Sequence, residues 1–411
     1  MNVLWWLAGL GLSLIADQIY FIALSWAAVQ VAEPAQVGLI LAAGSIPRLL
    51  VLLVGGALSD RIGAKKLALV SDTSRTLVLA AAAVLLVATG PSPLLLILVS
   101  VVFGVLDALL LPAVGAMPAR LVPADQLVRL QGMRMTVQRA GLVAGAPLAG
   151  YLVAHQGIAA AFGCTAVLLA VSVGTLAATR LLPAPATPDA TAPQRLTSDV
   201  ADGLRYVRGH RLLPALLLVS AVTEFAFTGP VNTGLPLLAA ARGWGSAGVG
   251  WILGGFGLGA ALIALALAVL GRLPRPGLCI AGGAALMAGA VAGIGTAPAL
   301  PWAVAAATVL GLGAGVAASL TGALTLATTR ADQLGRVMSV FSVATFGTIP
   351  LSYGLTGLLT GRYGPGPTFV LGGAIAAAGA ATALRAPTLR RAILPGAGAP
   401  GSTPIDIAEC K

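Results

Sequence analysis

The stretch Gly56-Ala57-Leu58-Ser59-Asp60-Arg61-Ile62-Gly63-Ala64-Lys65-Lys66 decides how the rest of the chain reads. It is a short polar segment between two long apolar runs, Gly38 to Leu58 and Leu67 to Thr89. A turn this tight makes the two runs antiparallel neighbours. Its glycines permit close backbone approach and unusual dihedrals. Its basic residues stand just past the apolar ends, where cytoplasmic loops collect positive charge.

Composition points the same way. The chain has 411 residues, 58% hydrophobic and 9% charged, with a mean hydropathy of +0.97. Soluble domains carry about 25% charged residues. A spanning helix needs about 20 apolar residues, and such runs account for most of this chain. A β-barrel would show short alternating strands instead. The net charge of +11 does not indicate nucleic acid, because the arginines stand at loop positions between apolar runs. The three cysteines, Cys164, Cys279 and Cys410, are scattered without metal or disulfide spacing. No basic segment precedes the first apolar run, so no cleaved leader is expected.

Twelve spans follow in order: about 4–30, 36–58, 67–89, 94–117, 132–154 and 158–179 in the first half, and about 212–240, 251–270, 278–296, 301–329, 337–361 and 367–384 in the second. Trp5 and Trp6 suit an interfacial belt. Residues 180–193 are rich in Pro, Ala and Thr, a linker composition. From Arg195 to Arg211, Leu196, Val200, Leu204 and Val207 recur at helical spacing, with arginines free to face lipid head groups. The predicted domains are a six-helix half at 1–180, a linker with this amphipathic helix at 181–211, a second half at 212–386 and a disordered tail at 387–411. With both termini on the cytoplasmic side of the cell inner membrane, the inside segments hold 20 basic residues, Arg75 counted among them, against 2 outside, Arg242 and Arg362.

The pattern Gly-x-x-x-Asp-Arg-x-Gly-x-Lys resembles the loop between helices 2 and 3 of the major facilitator superfamily. Gly56, Asp60, Arg61, Gly63 and Lys65 match; Ala64 departs from the basic residue usual there. The resemblance implies a cytoplasmic gate loop between two halves. It is joined by an internal repeat. Ala124-Asp125-Gln126-Leu127 recurs as Ala331-Asp332-Gln333-Leu334, and the same offset of 207 pairs Gly104 with Gly311, Gly150 with Gly357 and Asp17 with Glu224. The expected fold is therefore an all-α membrane protein of twelve transmembrane helices in two pseudo-symmetric six-helix halves, the major facilitator fold. Substrate would bind at their interface. The second gate segment, Gly271 to Pro276, keeps basic charge but not the pattern. The stretches 121–157 and 335–364 are most similar to the drug-efflux and siderophore-exporter branch.

Five charges are read as lying deep in the membrane: Asp17, Arg48, Asp107, Arg139 and Glu224. A charge at a helix centre costs about 2.5–3.5 kcal/mol on insertion scales, so such residues face the bundle interior or a wet path. Asp17 and Arg48 lie at similar depth on consecutive spans. They are either a fixed ion pair or a carboxylate for a proton or cationic substrate, held by its arginine. Asp107 and Arg139 read as a buried ion pair. Glu224 lacks a cation at its depth and reads as a proton-coupling site or a polar packing group. Tyr20, Gln18, Thr228 and Asn232 are placed to line a cavity, whereas Trp26 reads as packing. Gly145, Pro147 and Gly150 resemble the span-5 motif of proton-driven exporters, with Ala146 interrupting it. They suit a hinge or seal at the half-interface, or ordinary small-residue packing.

The glycine-rich runs at 255–259 and 311–315 lie inside apolar spans, so helix packing explains them. No Walker lysine is present, and His155 and His210 stand apart. The reading is a non-enzymatic, monomeric transporter without cofactor. It uses the proton motive force and partners with a small molecule, protons and membrane lipid. Proton-coupled efflux, as in antibiotic resistance, is the leading expectation; symport import and a non-transporting sensor are the alternatives.

Overall fold

The computed structural model describes residues 2–182, 196–270, 275–330, 333–390 and 392; the side chains of 52–61, 124, 196–201 and 270 are not among the described ones. The central linker, the second gate segment at 271–274, Ala331-Asp332 and the tail from 393 therefore lie outside the described residues, as do the side chains of Asp60 and Arg61.

The first half comprises α1 (Asn2–Val31), α2 (Pro34–Ile62), α3 (Ala64–Thr89), α4 (Pro93–Ala116) and α5 (Leu127–Ala178). Helix α5 is 52 residues long and breaks at Gly157, where φ is 82° and ψ 175°. At 1.5 Å per residue this is far too long for one crossing, so α5 supplies spans 5 and 6. The amphipathic α6 (Leu196–Gly209) precedes the second half. That half is α7 (Leu213–Gly229), α8 (Leu235–Ala241), α9 (Gly245–Leu270), α10 (Pro276–Thr296), α11 (Leu300–Thr328), α12 (Leu334–Tyr363) and α13 (Pro365–Arg385). Among the described residues, eleven helical segments are long and apolar enough to cross a membrane, α7 and α8 counting as one. With α5 crossing twice, the twelve expected spans are present.

Three boundaries differ from the sequence reading. The polar turn after span 2 shrinks to a single residue. Helix α2 runs on through Ile62, α3 starts at Ala64, and Gly63 alone makes the corner with φ 91°. A side chain is strained at that φ, whereas glycine is not. The connector after span 4 is two short 3-10 turns, Pro118–Arg120 and Ala124–Gln126. Finally, a turn (Pro387–Arg390) continues past the expected end of the second half, with Leu389 fully buried.

The repeat is visible in the packing. Gly104 on α4 lies against the carbonyl of Gly44 on α2, and its counterpart Gly311 on α11 lies against the carbonyl of Phe256 on α9. Each small residue brings the second and fourth spans of its half together, backbone to backbone. Across the seam between the halves, α2 packs on α12 and α5 on α9.

Candidate functional site

Two glycine crossings close the seam near one end of the bundle. A Cβ on Gly357 of α12 would stand 3.0 Å from the Gly38 Cα of α2, and one on Gly150 of α5 would stand 2.9 Å from the Gly250 Cα of α9. The Ser246 hydroxyl adds a 3.2 Å hydrogen bond to the Gly150 carbonyl. Pro147 also faces the other half, its ring against Gly254, whereas Gly145 faces α1 at Gln18. Gly38 and Gly250 lie near the starts of their helices, and Gly357 lies near the end of its own. The crossings thus stand at the end of the bundle opposite the Gly63 corner.

Deeper along the seam lies a cavity of about 220 Å³ lined from both halves. Its first-half wall is mixed: it carries both charged residues, Arg48 and Asp107, with the polar Gln18, Ser45 and Ser100, beside the apolar and aromatic Tyr20, Phe21, Leu24, Leu41 and Phe103. Its second-half wall is mainly apolar and aromatic: Val231, Val249, Leu253, Phe346 and Ile349, with Asn232 and Tyr353 as polar members. Tyr20 stacks on Phe103 with centroids 3.7 Å apart. Of the residues expected in the cavity, Gln18, Tyr20, Arg48 and Asn232 line it; Asp17, Glu224 and Thr228 are not among its lining residues. Trp26 packs against the core.

The buried charges pair differently from the sequence expectation. Arg48 contacts Asp107 at 3.1 Å, not Asp17. Asp107 also lies 3.7 Å from Arg75 rather than pairing with Arg139. Asp17 pairs with Arg75. The reason is the packing order. Helix α2 packs mainly on α4 and α12 and hardly on α1, while α4 packs on α2 and α3. Consecutive spans are not the closest neighbours in space. Arg75 and Asp72 were missed as site residues, and Arg75 was counted as a loop charge. Arg75 is in fact fully buried. It reaches Asp72 at 3.0 Å and lies over the Phe103 ring at 4.5 Å. Removing it from the loop tally leaves the charge bias intact. The signal that would have revealed the pair is the Asp-x-x-Arg spacing inside the apolar run from Leu67.

The first half therefore holds three carboxylates, Asp17, Asp72 and Asp107, around two guanidiniums, Arg48 and Arg75. Burying charge is tolerable only with such pairing. In the second half Glu224 accepts a 2.7 Å hydrogen bond from Thr228, and the Asn232 amide donates to the Thr228 carbonyl at 2.9 Å. These residues border a π-helical turn, Pro230–Gly234, between α7 and α8. Pro230 lacks an N–H and its ring crowds the preceding turn, which widens the helix there. Ser352 of α12 staples the distortion. Its hydroxyl accepts from the Gly229 N–H at 2.8 Å and donates to the Phe225 carbonyl at 2.5 Å.

Beside the Gly63 corner, Lys65 caps the end of span 6. Its ammonium donates to the carbonyls of Ala177 and Thr179 at 2.9 and 2.7 Å, satisfying helix-terminal acceptors. Among the described residues no group of His, Cys, Asp and Glu could hold a metal ion.

Comparison with known proteins agrees with this geometry. A family model described as Major Facilitator Superfamily matches residues 6–344. No curated protein sequence matches. Among solved structures, a variant of the nucleoside transporter NupG is 14% identical, with 94% of this chain and 99% of that chain covered and a TM-score of 0.76. An auto-inhibited peptide transporter of the POT family is 16% identical, over 97% and 99% of the two chains, at 0.72. A D-xylose–proton symporter is 12% identical, over 93% and 97%, also at 0.72. At these identities the likeness is one of fold.

Proposed function

Because the chain belongs to the major facilitator superfamily, we propose that it is a secondary transporter that exports a small amphipathic organic compound in exchange for protons, by alternating access. The observation that carries this reading is the cavity on the seam, whose charged residues both come from one half and whose remaining lining is largely apolar and aromatic. An amphipathic guest fits that division, its polar end against Arg48 and Asp107 and its apolar body against Phe346 and Leu253. The glycine crossings seal the cavity at one end, so rocking of the halves exchanges access. The surplus carboxylate around Arg75 and the solitary Glu224 supply proton sites, with Asp17 and Glu224 the positions assigned to coupling. The protein sits as a monomer in the cell inner membrane with both termini cytoplasmic. There the membrane potential contributes about 2.3 kcal/mol per charge per 100 mV.

Symport import is the second reading, favoured by the likeness to a D-xylose–proton symporter. The direction of flux decides. Everted membrane vesicles with an acidified interior should accumulate ethidium, the probe amphipathic cation, if the protein is an exporter. Solute uptake into right-side-out vesicles from an acid medium would identify an importer. If Asp17→Asn and Glu224→Gln each leave proton-driven flux unchanged, the coupling assignment is wrong.

A further inference from the structure

The charge network of the first half borders two separate spaces. One is the seam cavity, which touches Arg48 and Asp107. The other is a void of about 30 Å³ inside the first half, lined by Ser13, Asp72 and Ser172 with Trp6, Leu110 and Met117 among its apolar walls. It draws on α1, α3, α4 and α5 and receives no residue from the second half. A polar void of 10–15 Å³ or more holds a water when about two to four polar partners are present. Three are present here. The single Ser172 hydroxyl proton lies between two acceptors, the Gly9 carbonyl at 3.0 Å and an Asp72 carboxylate oxygen at 3.4 Å, which leaves the Ser172 lone pairs free to accept. Ser13 is 5% exposed, and its hydroxyl has no hydrogen-bond partner. An orphaned buried hydroxyl is costly, and a water in the void satisfies it.

The charges themselves are unequal. Asp107 answers Arg48, and Asp17 and Asp72 share Arg75. One proton makes the cluster neutral. The Asp17 side chain is 21% exposed and that of Asp72 is 3% exposed. Of the two carboxylates that share Arg75, Asp72 is thus the enclosed one and the one that borders the void. Facing Asp72 are Arg75 from its own helix, Asp17 from α1, Asp107 from α4 and, through Asp107, Arg48 from α2; α5 contributes the Ser172 hydroxyl.

We propose that Asp72 is a proton-binding carboxylate of the transporter, served by a water held between Ser13, Ser172 and Asp72, on a route separate from the substrate cavity. The proposal rests on the reading of the protein as a proton-coupled transporter. An O–H bond forms at the Asp72 carboxylate with a proton taken from a protonated water and replenished from solvent; the reverse step returns it. Neutral Asp72 loosens its hold on Arg75. The guanidinium then shifts toward Asp17 and Asp107, and Asp107 loosens from Arg48. Protonation in the void is thus felt at the substrate wall without a shared space.

The test is infrared difference spectroscopy of the purified full-length protein in lipid nanodiscs, stepped between alkaline and acid buffer. The wild type should show a protonated-carboxyl carbonyl band that Asp72→Asn removes; of the two variants that keep the cluster's charge, Asp72→Glu should move the band and Asp17→Glu should leave it in place. Ser13→Val, whose extra methyl groups fill the void, should slow the appearance of that band after a pH jump. If Asp72→Asn fails to fold, Asp72→Glu should move the same band. A band that survives Asp72→Asn, or stays in place in Asp72→Glu, overturns the proposal. So does a high-resolution structure showing the void dry. The measurement needs no flux, so an intact Asp72 band without proton-driven transport refutes the transport reading alone.

Discussion

Alanine at both Gly38 and Gly150 should drive the seam open at its sealed end. A Cβ on Gly38 would lie 2.6 Å from the Tyr353 carbonyl oxygen, and one on Gly150 2.6 Å from the Ser246 carbonyl oxygen. Each falls ~0.8 Å short of an ordinary contact. The atoms met are backbone on a helix of the other half, so no rotamer change relieves the clash; the helices must part. Overpacking of this kind costs about 1–3 kcal/mol per site. The two crossings share no side chain, so the costs add. A penalty of about 2–6 kcal/mol confined to the closed arrangement shifts the equilibrium between states by roughly 30-fold to 10⁴-fold. Spin labels on Glu33→Cys and Arg362→Cys flank the α2–α12 crossing and read its width by pulsed electron resonance, with Cys164, Cys279 and Cys410 replaced by serine. The double variant should move the distance distribution to longer values. Gly282→Ala and Gly289→Ala are the controls, because a Cβ at either meets nothing within 4 Å. A folded double variant with the parent's distance distribution would refute the seal.

Ser352→Ala should destabilise the protein by about 1–3 kcal/mol, since the Gly229 N–H next to the π-turn loses its acceptor; denaturant unfolding in detergent measures the loss, and Ser352→Thr should recover part of it. His210 lies outside the spans and caps the start of α7, its Nδ1 accepting from the backbone of Leu212 and Leu213. Burial pushes its pKa below the ordinary 6.5. The unfolded chain therefore binds the proton more readily. The stabilisation is fully present above pH 6.5 and is lost as pH falls through the lower folded pKa. His210→Asn keeps a capping acceptor without a titrating ring, so its melting temperature should decline less than the wild type's on acidification. Equal declines would show that the cap does not titrate.

Much of this architecture was legible in the chain. The apolar runs gave the spans, and the 207-residue offset anticipated that Gly104 and Gly311 make equivalent contacts. Tyr20, Arg48 and Asn232 reached the cavity as expected because depth along a span follows from counting residues. Partners did not follow from depth. Asp17 and Arg48 stand level, but α1 and α2 barely touch, so each pairs elsewhere. Arg75 was misread because it lies within a few turns of the basic Lys65 and Lys66, and nearness to a loop looked like membership of it. The π-turn at Pro230 had no periodic signature, since it depends on a serine more than a hundred residues away.

The corner at Gly63 has a mechanical consequence. Helix α2 carries Gly38 at one end and Arg48 at its middle, while α3 carries Asp72 and Arg75. A joint of one residue has almost no slack, and Lys65 pins its far side to the end of α5. The two helices therefore behave as the arms of a bell crank. A tilt that parts α2 from α12 must be taken up as strain at α3, among the very side chains that hold the odd charge.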